Sequence, residues 1–76
     1  MKDPKLARLT DNMLAALRNI EVGLPMFTGF AAVTLIDGGQ DRIRTGLFRR
    51  ELVEYVEGTF RVVLTELGRQ ALEEAS

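Results

Sequence analysis

Apolar residues recur at steps of three and four near the start of the chain, at Leu6, Leu9, Met13, Leu17 and Ile20. That spacing lines one face of an α-helix and predicts one from about Lys5 to Val22. Pro4 suits its start, and Gly23 and Pro25 suit its end. Thr10-Asp11 is a second candidate start, with threonine as the N-cap, and the residues before it then form a separate arm. The stretch Met26 to Ile36 supports two readings. Phe27, Phe30, Ala31, Thr34 and Leu35 fit a short helix, while Ala32-Val33-Thr34-Leu35-Ile36 is rich enough in β-branched residues to form a strand. Asp37-Gly38-Gly39 marks a turn on either reading.

From Gln40 to Leu52 a helix is preferred. It turns Ile43, Leu47 and Phe48 inward and sets Arg42, Thr45 and Arg49 together on the opposite face. Arg44 falls near the apolar side, and Gly46, near the exposed face, weakens the helix by about 1 kcal/mol. The competing strand reading, Arg42-Ile43-Arg44-Thr45-Gly46-Leu47, leaves residues 32–47 open between helix and strand. Beyond them, Leu52-Val53-Glu54-Tyr55-Val56 and Thr59-Phe60-Arg61-Val62-Val63-Leu64 read as the two strands of a hairpin. Glu57-Gly58 is its two-residue turn. Alternation puts Leu52, Val56, Phe60, Val62 and Leu64 on its buried face. Thr65 caps a last helix, with Glu66 at the positive end and Leu67, Ala71, Leu72 and Ala75 on the apolar side.

A length of 76 residues suits one domain, taken as residues 1–76, with a thin core that a partner or a second copy would reinforce. At 46% hydrophobic and 28% charged, the composition is that of a folded globular chain. There is neither cysteine nor histidine, which removes disulfides, thiolate metal sites and the commonest general base. Asp37 and Asp41 flank a glycine turn but lack the regular oxygen ligands of a calcium loop. No enzyme, cofactor or metal site is expected. No leader or membrane span is expected either, so the expected location is cytoplasmic.

Three runs mark the last third: Leu47-Phe48-Arg49-Arg50-Glu51-Leu52-Val53-Glu54-Tyr55, Gly58-Thr59-Phe60-Arg61, and Leu64-Thr65-Glu66-Leu67-Gly68-Arg69-Gln70-Ala71-Leu72. In them, chiefly over residues 47–72, the chain resembles the end of a winged-helix transcription regulator of the MarR or PadR type. Such families end the recognition helix in a Leu-x-Arg-Arg-Gly-Leu-Val-like run, follow it with a wing hairpin, and open the next helix with Leu-Thr-x-x-Gly-Arg. Here Glu51 stands where glycine is usual, so a different turn into the strand is expected. The resemblance implies an α+β winged-helix fold: three helices, a β-hairpin wing and a C-terminal helix. It also implies duplex DNA as ligand, a recognition helix around residues 40–50, and action as a homodimer. Arg42, Thr45 and Arg49 are the candidate reading surface, with Arg44, Arg50 and Arg61 reaching phosphates.

Charge complicates that expectation. The net charge is only −1, the wing carries Glu54 and Glu57, and Asp37 and Asp41 precede or open the arginine-rich helix. The arginines are equally suited to pairing with Asp41, Glu51 and Glu54 on a solvated face. The alternative function is a protein-binding winged-helix module, such as a phage- or mobile-element-encoded inhibitor or modulator of a host complex. Its partner is a host protein rather than DNA, and Leu24-Pro25-Met26-Phe27 with Phe30 would supply an apolar patch.

Overall fold

A computed structural model describes residues 9–75. It is an α+β structure of four helices and one two-stranded antiparallel hairpin: α1 Asp11–Glu21, α2 Ala32–Leu35, α3 Gly39–Arg49, β1 Val53–Tyr55, β2 Val62–Leu64 and α4 Glu66–Ala75.

Helix α1 starts at the second candidate position rather than at Lys5. The Thr10 hydroxyl accepts a hydrogen bond from the Met13 amide at 3.1 Å, and Asp11 sits in the first turn, where the helix dipole favours a carboxylate. Pro4 and Leu6 lie outside the described residues. The helix ends as its sequence predicts: Gly23 takes φ +85°, its amide donates to Ile20 and the Leu24 amide donates to Asn19. Met13, Ala16 and Leu17 form its buried stripe.

Between α1 and α3 the expected helix over Met26–Ile36 shrinks to the single turn of α2, and the strand reading of residues 32–47 fails. The Asn19 amide group donates to the carbonyls of Met26 and Thr28, both at 2.9 Å, and this pins the preceding residues as turns. A tight turn follows with Asp37 at φ 51° and Gly38 at φ 80°, closed by the Gly39 amide on the Ile36 carbonyl at 3.0 Å. Asp-Gly tolerates this pair of left-handed residues better than most dipeptides. Gly39 then packs so closely on α2 that a Cβ would lie 2.0 Å from the Thr34 carbonyl oxygen.

Helix α3 ends in the same turn as α1. The Glu51 amide donates to Phe48, the Leu52 amide donates to Leu47, and Glu51 itself holds φ 59°. The turn is therefore not altered by the missing glycine. Glutamate adopts the left-handed conformation that glycine would take without strain.

The hairpin pairs Val53 with Leu64, Glu54 with Val63 and Tyr55 with Val62. The Val56 amide donates to Arg61 at 2.8 Å, so the loop spans four residues, 57–60, rather than the expected two. Thr59 explains the difference. Its amide and hydroxyl both bond the Val56 carbonyl, and its hydroxyl also accepts the Arg61 amide. The strands shorten accordingly, and Phe60, expected in the core, is 96% exposed in the loop. Val56 is exposed as well, while Val53 is buried.

Leu17, Leu47 and Leu52 are sealed from solvent at the centre of the core, and no polar or charged side chain is buried among the described residues. Ile43, Leu64, Ala71 and Leu72 extend the core, whereas Ala75 is exposed. The motif around Thr65 locks the end of the chain onto this core. The Thr65 hydroxyl accepts the Gly68 amide at 3.1 Å and donates to the Glu51 carbonyl at 2.6 Å, while its amide reaches Leu52 at 3.0 Å. Gly68 is required by contact: a Cβ would lie 2.1 Å from the Leu52 carbonyl oxygen.

Candidate nucleic-acid interface

Helix α3 is held on one side by Ile43 and Leu47 in the core and leaves the other side in water. Arg42, Thr45 and Arg49 are exposed on that outer side, with Asp41 beside them. The spacing predicted this grouping, because steps of three and four return to the same face. Arg50 flanks the face and is half-buried, with its Nη1 donating to the Gly46 carbonyl at 3.2 Å. Gly46 underlies the surface where α1 crosses: a Cβ there would meet the tip of Met13.

The anticipated pairing of these arginines with neighbouring carboxylates does not form. Among the described residues none of Arg42, Arg49 and Arg50 is ion-paired, and the salt bridge present is Arg69 with Glu66, at 3.6 Å on the surface of α4. Arg50 instead satisfies a backbone carbonyl. The outer face of α3 therefore offers guanidinium groups that no described carboxylate holds in a salt bridge, with Asp41 as the one acid on the same surface.

Two candidate residues are placed elsewhere. Arg44 lies two residues on from Arg42, roughly 200° around the helix. It stands over the Phe27 ring at 5.8 Å and lines a cleft of about 550 Å³ on the far side of α3. Arg61, at the base of the hairpin loop, lines the same cleft. These two arginines belong together and apart from Arg42, Thr45 and Arg49. The hairpin turns Glu54 and Glu57 to solvent and contributes no cation to the α3 face.

The Leu24-Pro25-Met26-Phe27 stretch divides in the same way. Leu24 is 47% exposed and borders the cleft with Pro25 and Met26, whereas Phe27 and Phe30 pack edge to face at 5.5 Å. Phe60, like Val56, is a residue that alternation misplaced. Only the hydrogen-bonding habit of Thr59, one residue before it, hinted at the longer loop. No helix among the described residues is long and apolar enough to cross a membrane. Comparison with known proteins returned no match: no family model, no curated protein and no solved structure resembles the chain closely enough to place it in a family.

Proposed function

We propose that the chain is a winged-helix DNA-binding regulator that sets the outer face of α3 into the major groove. The observation that carries this reading is the cluster of exposed Arg42, Thr45 and Arg49, with Arg50 at its edge, none of the arginines ion-paired among the described residues. Guanidinium groups pair bidentately with guanine or with phosphate, threonine contacts either, and Asp41 can accept from cytosine N4. The order of helix, short helix, helix, hairpin and helix agrees with a winged helix. The hairpin plays a minor part at the duplex, since its loop carries Glu57 and no lysine or arginine.

The small number of cations makes a quantitative demand. With about three phosphates neutralised by one protomer, the logarithm of affinity falls by about 2.7 for each decade of salt, and binding weakens roughly fortyfold between 50 and 200 mM. A two-fold homodimer doubles the slope. The test is fluorescence anisotropy on mixed-sequence duplex across that salt range. Arg42→Ala with Arg49→Ala is expected to weaken binding and to flatten the slope by about 2 per protomer. Arg44→Ala with Arg61→Ala should leave both unchanged. Folded protein that shows no affinity at low salt, or a double variant at Arg42 and Arg49 that binds like the parent, overturns the reading.

A further inference from the structure

We infer that the cleft between the Gly23–Met26 segment and the hairpin is a docking groove for an extended acidic segment of a partner protein. The groove is independent of the α3 face and does not rest on DNA binding. Three features of different kind converge on it. The first is apolar surface: Phe60 is 96% exposed, Tyr55 50% and Leu24 47%, all bordering one cleft. A large aromatic ring left in water beside other apolar side chains marks an interaction site more often than a chance exposure.

The second feature is charge. Arg44 enters the cleft from α3 and Arg61 from the hairpin, and neither is ion-paired among the described residues. Arg44 stands over the Phe27 ring, which holds its exposed guanidinium at the apolar wall of the cleft. A partner must therefore bring carboxylates as well as an apolar anchor.

The third feature is the backbone. Val56 bonds Arg61, so by antiparallel alternation the Glu54–Val63 pair is also a hydrogen-bonded rung. The N–H and C=O of Val62 then turn away from β1, toward the outer edge of β2. Helix α1 packs against β2, and Val62 and Val63 border the cleft where that helix ends, so an extended chain laid there can bond the Val62 backbone. Its alternating side chains would meet Phe60 and Leu24 on one side, while its carboxylates reach Arg44 and Arg61. A peptide fits this lining better than a nucleic acid does, because Glu57 stands at the loop and Ile20, Met26 and Val62 floor the cleft.

The test uses a short fluorescein-labelled peptide alternating glutamate with leucine, and its counterpart with lysine for glutamate. Anisotropy measures binding, and amide chemical shifts of isotopically labelled protein map the site. The acidic peptide is expected to bind and to shift the Leu24, Met26, Val62 and Val63 amides, leaving Arg42 and Arg49 unmoved. Arg44→Glu with Arg61→Glu is expected to weaken it roughly tenfold or more. Phe60→Ser, at a side chain that touches no core, should weaken binding while circular dichroism stays that of the parent. The proposal is overturned by failure of the acidic peptide to bind, by equal binding of the basic peptide, or by shifts confined to the outer face of α3. Concentration-dependent dimerisation that Phe60→Ser abolishes overturns it in favour of a second copy in the groove.

Discussion

Gly68→Ala tests how the end of the chain is clamped to the core. Alanine is the better helix former and, in an unconstrained helix, would add about 1 kcal/mol of stability. At this position its Cβ falls 2.1 Å from the Leu52 carbonyl oxygen, where ordinary contact begins at 3.4 Å. The obstacle is backbone, so α4 and the residues leading into β1 must separate by about 1 Å to relieve the overlap. Two hydrogen bonds cross the same junction, the Thr65 hydroxyl to Glu51 at 2.6 Å and the Thr65 amide to Leu52 at 3.0 Å. A displacement of that size stretches the second beyond hydrogen-bonding distance and weakens the first. Each is worth about 1 kcal/mol, and loosened packing around the sealed Leu52 adds about 1 to 2 more. After the gain in helix propensity, the variant should be destabilised by about 2 to 3 kcal/mol, a fall in Tm of roughly 10 to 20 °C.

Gly46→Ala is the internal control. Its Cβ meets the Met13 Cε at 2.3 Å, the free end of a flexible side chain, so Met13 can swing aside. The propensity gain and the repacking cost should nearly cancel, leaving Tm within a few degrees of the parent. Thermal unfolding followed by circular dichroism distinguishes the two substitutions. If Gly68→Ala raises Tm, or Gly46→Ala lowers it as far as Gly68→Ala does, the close approach at Leu52 does not govern stability.

Substitution of Thr65 probes the same junction. Thr65→Val keeps the shape but removes the hydroxyl that caps α4 and bonds Glu51. It should cost about 2 kcal/mol, while Thr65→Ser keeps most of the stability; equal losses would show that the methyl group, not the hydroxyl, matters.

Much of this architecture is legible in the chain because its signals are local. Thr10, Gly23, Asp37-Gly38 and Thr65 each act through hydrogen bonds or dihedral angles within a few residues, and each does in the fold what its residue type suggests. The grouping of Arg42, Thr45 and Arg49 follows in the same way from helical geometry alone. What was not legible depends on competition between rival signals, some local and some from distant groups. Helix α2 is short because Asn19, a helix earlier in sequence, holds the carbonyls of Met26 and Thr28. Phe60 reads as a core residue by alternation, yet Thr59 lengthens the loop and removes it from the ladder. Arg44 and Arg61 are remote in sequence, and their shared cleft exists only because the hairpin folds back beside α3 and the end of α1.

The double role of the Thr65 hydroxyl reaches beyond stability. It joins the exit of α3 to the entry of α4 at the base of the hairpin, so opening either element there costs the hydrogen bond that also holds the other. Strands of three residues would ordinarily fray on their own, but here their base is shared with two helices. The amides of Leu52, Thr65 and Gly68 then exchange with solvent as one unit, at a rate set by opening of the junction. A ligand that steadies α3 slows that exchange at the start of α4, a helix it never touches, and occupancy of one surface becomes readable on the far side of the junction.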